Sequence, residues 1–356
     1  MRQILYEYQG NMHIHSHYSD GELSIYQIVG IAAGANLDFI IITDHHTLNG
    51  MYKGQEGYRH GVLTLVGMEI NYKNNHYLAL DVKEVVPSDD NCPQNVIDQV
   101  NQQQGIGIIA HPVEKGSKFY ENGLTYEWID WTVDGFQGIE IWNYLSQWRD
   151  GINNIWRGIY LLINPQAGMV GPYPEIISKW DEYLLNGKRV LAFGGSDAHG
   201  TKIKYGPFKI TMGSYRTGFQ FINMHILSAQ PLTGEVIDDK NTVYHALRQG
   251  NCWVANDYLM NSKGFRFEIQ KNEQVWSSGS QLNYENNLGL HIVTPHTAVV
   301  KVFKDGRLWR ENRGTNHKFP DVGPGIYRAQ AYLPRYRRLH PWIFSNPIWI
   351  NNNRHR

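Results

Sequence analysis

Apolar and polar positions along this chain fall into two textures. From residue 11 to about residue 212, short and nearly continuous apolar runs rich in Ile and Val alternate with amphipathic stretches. Continuous short runs read as strands buried on both faces, and apolar positions recurring every third or fourth residue read as helices. The pattern predicts strands at 12–15 (MHIH), 38–43 (DFIIIT), 62–67 (VLTLVG), 77–80 (YLAL), 106–110 (IGIIA), 138–142 (GIEIW), 189–195 (RVLAFGG) and 208–213 (FKITMG). Helices are expected at 22–36, 92–104 and 172–187, the last with Pro near its start and Gly at its end. Strands alternating with helices imply parallel strands covered on both sides, hence an α/β barrel or an open sheet.

Beyond about residue 259 the texture changes. FRFEIQ, LGLHIVT, AVVKVFKDGRLW, GIYRAQAYL and NPIWIN are short strand candidates separated by Gly, Asn, Asp and Pro. Asp305-Gly306 between them predicts a type I′ hairpin. These features suggest a sandwich-like all-β domain over 259–356 following an α/β domain over 1–258, with the boundary at 256–264. No chemistry clusters in the β region, so cleft support or self-association into a homo-oligomer is its expected role.

Composition narrows the classes. Lys plus Arg and Asp plus Glu number 33 each, so no basic surface for nucleic acid or anionic membrane is indicated. No apolar run approaches the ~18 residues of a membrane span, and no signal peptide is expected. Cys92 and Cys252 are far apart and lack metal-type spacing, which fits reduced thiols and a cytoplasmic location. Aromatic residues make up 13% of the chain, enough for a large core and an aromatic-walled cleft.

The candidate chemistry lies at predicted strand ends, where parallel α/β folds gather functional residues. His13, His15 and Asp20 follow the first strand, and Asp44, His45 and His46 the second. Glu69 follows the third, His111 the fifth, Glu140 and Asn143 mark the next, and Asp197 and His199 follow the 189–195 strand. A lone histidine is usually a satisfied core or surface residue; so many ionisable endings exceed what packing requires, because buried charge needs partners. In HIH and DAH, residues two apart on a strand point to one side and can reach one cation. Mixed imidazole and carboxylate donors suit Zn, Mn or Fe better than Ca or Mg. Their excess over one ion's needs points to a cluster with bridging carboxylates, at which water becomes a hydroxide nucleophile.

HIHSHYSDG, ITDHHT, GMEI, AHP and GSDAH, in this order, resemble the PHP (polymerase and histidinol phosphatase) family over residues 11–258. The resemblance implies a distorted seven-stranded (β/α) TIM-like barrel holding two or three divalent ions. By motif, His13, His15, Glu69 and Asp197 would bind one ion. Glu69 and His111 would bind a second, with Glu140, or Asn143 in its place, as the remaining ligand. Asp20, His45 and His199 would hold a third. Asp197 and His199 are also the candidate catalytic residues. His17 has no counterpart among the motif's ligands: it is either a proton donor to the leaving group or an exposed residue, and His46 poses the same choice.

GIEIWN, GGSDAHG, the β-rich tail and PWIFSNPIWIN also resemble a narrower branch, the carbaryl-hydrolase-like metallohydrolases. Amidohydrolases share the opening His-x-His but not SDG, TDH or GSDAH. Hydrolysis of a small-molecule phosphoester is the first expected activity. Lys115, Lys118, Lys202, Lys204 and Arg216 are candidate phosphate contacts or ordinary surface cations. Carbamate or carboxylic-ester hydrolysis is the alternative, with Trp128, Trp131, Trp142, Tyr144 and Trp148 as an aromatic pocket wall or as core. A metal-stabilised, non-catalytic scaffold is the third reading.

Overall fold

The computed structural model describes residues 5–119, 121–205 and 208–352. Strands β1 (Tyr6–Asn11), β2 (Phe39–Ile42), β3 (Gly57–Arg59), β4 (Val62–Val66), β5 (Met68–Ile70), β6 (Tyr77–Leu80), β7 (Ile106–Ile109), β8 (Gly138–Asn143) and β9 (Leu191–Gly195) build the N-terminal part. A hairpin, β10 (Thr201–Tyr205) with β11 (Phe208–Met212), and then β12 (Ile222–Ser228) and β13 (Cys252–Asn256) complete it. The three expected helices appear as Ile25–Gly34, Pro93–Gln102 and Pro174–Leu185. The first opens on a capping box in which Ser24 and Gln27 satisfy each other's backbone N–H groups, and it buries Ile25, Ile28, Val29 and Ala32.

The first strand lies earlier than the pattern suggested. Tyr6–Asn11 pairs with both β12 and β2, and the chain leaves the ladder at residue 12. His13 then takes φ +60°, which no strand permits, so HIH lies beyond the strand end, with Ile14 in an isolated bridge. Elements at 222–228 and 236–249 were not apparent in the apolar pattern. Asn223 and His225 interrupt β12, yet both are fully buried, each hydrogen-bonded to Asp257.

Pairing is mixed rather than all parallel. β1–β2–β4 and β7–β8–β9 are parallel, but β6 runs antiparallel to β5 and β7, and β12 to β1 and β13. The strands form an α/β arrangement in which no continuous ladder among the described residues closes the expected barrel: the pairing divides into a five-stranded sheet, β5 to β9, and a branched fourteen-stranded sheet. Isolated bridges, Ile14 to Ala198 and His45 to Glu69, join them at the two seams. At both seams the backbone carries the candidate ligands; Asp197 sits at φ +52° beside one, and such turns interrupt a regular ladder.

The remaining strands, β14 (Arg266–Lys271), β15 (Gln274–Ser277), β16 (Gln281–Asn283), β17 (Gly289–Lys304), β18 (Arg307–Phe319), β19 (Gly325–Arg335), β20 (Arg338–Ser345) and β21 (Ile348–Asn351), belong to the larger sheet. They join it where β20 pairs with β13. The β17–β18 turn has φ +50° at Asp305 and +72° at Gly306, as a type I′ hairpin needs. One apolar core is built mostly from the N-terminal part, joined by Phe344 and Trp349, and a second is built largely from residues after Phe265. No described helix is long and apolar enough to cross a membrane.

Candidate metal centre

Most candidate ligands leave the carboxyl ends of β1, β2, β7 and β9, and Glu69 lies within β5. His13, His15, Glu69 and Asp197 meet first. Glu69 Oε2 is 3.0 Å from His13 Nε2 and 3.1 Å from His15 Nε2, and Asp197 Oδ1 is 3.5 and 3.4 Å from the same nitrogens. Four ligands at ~2.1 Å around a tetrahedral zinc lie about 3.4 Å apart, so these donor atoms already have the spacing of a coordination shell. Gly195 lets the end of β9 approach this closely: a Cβ there would stand 2.6 Å from Met12 O and 2.8 Å from both His13 Cβ and Glu140.

A second donor group, His15, Asp20, His45 and His199, opens to the surface. Asp20 Oδ2 lies 3.3 Å from His199 Nε2 and 3.7 Å from His45 Nε2. The Asp20 side chain is 56% exposed, whereas His15 is completely buried. Asp44 shapes this loop without belonging to any donor group: it accepts from Ser16 N and Oγ, each at 2.6 Å, and from Ser19 Oγ at 2.8 Å. The third group is His45, Glu69 and His76; within it His45 Nδ1 lies 3.6 Å from Glu69 Oε2, and His76 faces the other oxygen. Oε1 is 2.8 Å from His76 Nδ1 and 3.1 Å from His111 Nε2.

His76 does not stand out in a pattern of all-parallel strands. β6 is antiparallel to its neighbours, so the residue before its first position lands among their carboxyl ends. Ala110 N donates to His76 O at 3.0 Å, fixing His76 beside His111. The visible signal was the histidine immediately preceding YLAL.

Glu140 does reach the centre, but behind His13. Both of its oxygens are 3.1 Å from Nδ1, and Oε2 also accepts from His111 N at 2.9 Å and Asn143 Nδ2 at 3.0 Å. Its oxygens thus face backbone and ring N–H groups, with none in the three donor groups. Asn143 Nδ2 also reaches Asp197 Oδ2 at 3.3 Å, and its Oδ1 caps the following helix by accepting from Ser146 N. His17 is exposed, its ring beside Tyr18, and it lines no part of the cleft. His46 does line it, with Nδ1 2.9 Å from Ser88 Oγ.

Electrostatics bind the cluster together. Burial raises the Glu69 and Asp197 pKa values, but surrounding imidazoles, His13 foremost, hold both well below the usual carboxylate range. Conversely, burial disfavours charge on His15 and His111, yet carboxylate partners push them up to about 10 and about 9. His45, where burial dominates, falls to about 3. Such a charge balance can be met by protons or by divalent cations. The fit to cations rests on His15 and His45: His15 Nδ1 and Nε2 and His45 Nδ1, which face the carboxylates of the donor groups, are buried without a hydrogen-bond partner among the described residues. Buried orphan imidazole nitrogens are costly unless something takes their lone pairs.

The centre floors a cleft of about 590 Å³. Arg149 lines it, with Nη2 2.6 Å from Glu114 Oε2, and is the only lysine or arginine among its described lining residues. The expected basic contacts lie elsewhere. Lys115 sits over Tyr173, Lys202 pairs with Glu22 at 3.4 Å, and Lys118 and Arg216 are exposed. The side chain of Lys204 is outside the described residues. Trp128, Trp142, Tyr144 and Trp148 are buried in the core and Trp131 packs against it, so none forms the suggested aromatic wall.

Residues 11–183 match the family model of the PHP domain. The match stops short of Asp197 and His199, which the fold nevertheless delivers to the same centre. No curated protein matches the chain. Solved structures with some likeness include a two-domain protein from Bacteroides vulgatus containing a predicted PHP-like metal-dependent phosphoesterase. It is 13% identical, with 96% of this chain and 95% of that chain covered and a TM-score of 0.45. A protein from Bifidobacterium adolescentis assigned as a metal-dependent phosphoesterase is 16% identical, covering 57% and 92%, with a TM-score of 0.34. An amidohydrolase from Chromobacterium violaceum with bound sulfate is 13% identical, covering 56% and 92%, with a TM-score of 0.30.

Proposed function

We propose that this protein is a metal-dependent hydrolase of small-molecule phosphoesters. The observation that carries the reading is Glu69, whose two oxygens face different imidazole sets and so suit it to bridge two ions. We assign His13, His15, Glu69 and Asp197 to one ion, Glu69, His76 and His111 to a second, and Asp20, His45 and His199, with His15 beside them, to a third. Zinc, manganese or iron suits these donors. Divalent ions held by these residues would supply Lewis-acid chemistry to a phosphoryl oxygen and to an attacking water.

The chain's own residues supply the rest. Arg149 offers the cleft a fixed cation for a phosphoryl oxygen, and burial fails to lower its pKa because Glu114, Asp197 and Asp150 raise it. Glu114 holds the guanidinium in place. Glu140 holds a proton on His13 Nδ1 and thereby directs the Nε2 lone pair into the centre. Carbamate or carboxylic-ester cleavage, the chemistry of the narrower resemblance, is the second reading, and it has lost its proposed aromatic wall.

The test is a panel of phosphomonoesters, phosphodiesters, carbamates and aryl carboxylic esters on Mn- and Zn-loaded protein. Phosphoester turnover is expected; cleavage confined to carbamates or carboxylic esters overturns the reading. Asp197→Asn should abolish turnover and reduce bound metal.

A further inference from the structure

Tyr72 stands on the rim of the cleft, 62% exposed, with one ring face stacked on His46 at 3.7 Å between centroids. The His46 ring lies 5.7 Å from that of His45, so the stacked pair adjoins the donor groups directly. Exposed aromatic side chains on loops are ordinarily loosely held. Here the backbone is pinned: Tyr72 N and Lys73 N both donate to Asp90 Oδ1, at 3.0 and 2.9 Å. Asn71 precedes them at φ +78°, a conformation that turns the chain sharply into this position. Ser88 secures His46 from beneath through Nδ1. Covering His46 uses only one face of the tyrosine ring. A flat, rigidly mounted ring bordering the cleft is what a planar ligand group requires, since stacking gains most when neither partner must be ordered on binding.

Resting on the phosphoesterase reading, we propose that the substrate's leaving group carries a flat aromatic ring and that Tyr72, backed by His46, selects it by stacking. An aryl phosphate and a nucleotide share this chemistry. In either case water oxygen forms the new bond to phosphorus, the bond from phosphorus to the leaving oxygen breaks, and that oxygen takes up a proton from the water.

The experiment compares phenyl phosphate, a nucleoside monophosphate and glycerol phosphate on wild type, Tyr72→Ala and Tyr72→Phe, all metal-loaded and checked for native circular dichroism. Wild type should prefer ring-bearing substrates over glycerol phosphate by about tenfold or more in kcat/KM. Tyr72→Ala should erase that preference and Tyr72→Phe should keep it. A preference for the nucleotide over phenyl phosphate identifies a nucleobase as the stacked group, and the reverse identifies a simple aryl group. No preference in wild type, or one unchanged in Tyr72→Ala, overturns the proposal. Calorimetric binding of phenylphosphonate against methylphosphonate separates the two levels. If no phosphoester is cleaved, the phosphoesterase reading fails, and this binding ratio and its loss in Tyr72→Ala still decide the role of Tyr72.

Discussion

Glu140 stands directly behind His13, both carboxylate oxygens 3.1 Å from Nδ1, while Nε2 of the same ring faces Glu69 and Asp197. A carboxylate in this position fixes the tautomer and raises the basicity of the nitrogen that faces the ion. Glu140→Gln is therefore expected to weaken metal binding about 10- to 100-fold while leaving the donor set intact. Titration of apo-protein with Zn monitored by calorimetry measures this, and an unchanged affinity would show that Glu140 only fills space.

His76 makes a separable prediction. Its ring meets Glu69 Oε1 beside His111 and touches neither His13 nor Asp197 closely enough to pair. His76→Ala should remove one equivalent of metal, read by elemental analysis, and spare the ion between His13 and Asp197. Retention of every equivalent would return the second ion's remaining ligand to Glu140 or Asn143.

Gly195 is a packing requirement. Because Met12 O would stand only 2.6 Å from an added Cβ, the backbone has to give way. Gly195→Ala should cost about 1–3 kcal/mol in urea unfolding and displace His13 from Glu140, lowering metal occupancy with it. Wild-type stability in that variant would falsify the close approach.

His225 governs an alkaline limit away from the centre. Burial opposes its charge, but Asp257 and Glu7 push its pKa up to about 9. A raised folded-state value means stability fully present below the unfolded pKa of about 6.5 and lost as pH climbs towards 9. Melting temperature of the metal-loaded protein should fall across that interval, and His225→Gln should flatten the slope while lowering stability at pH 6. Ser262 Oγ and Asp257 both approach Nε2, at 2.9 Å each, so this trio is a buried structural network and not a nucleophile with its base.

Much of the centre could be read from the chain because its donors are adjacent in sequence and sit at strand ends. HIH, TDHH and AHP each deliver one or two candidate donors to the centre, and seeing them needs no knowledge of strand direction. His76 did need it: only the reversal of β6 brings that residue to the same face. Arg149 and Tyr72 were equally hidden, since a lone arginine within a helix and a lone tyrosine in a loop look like surface. The open sheet was concealed for a related reason: at the seams, candidate ligands such as His13 and Asp197 take a left-handed backbone that breaks the ladder.

The β13–β20 pairing bears on how the molecule comes apart. Asn346, fully buried, donates from Nδ2 to Ala192 O and Cys252 O and accepts at Oδ1 from Ala192 N. Asn346, between β20 and β21, thus clamps β9, the strand that ends two residues before Asp197. Cutting the chain near residue 258 would strip a neighbour from β13 and leave a raw, sticky edge. The C-terminal strands and the candidate metal centre are bound to share one fate on unfolding.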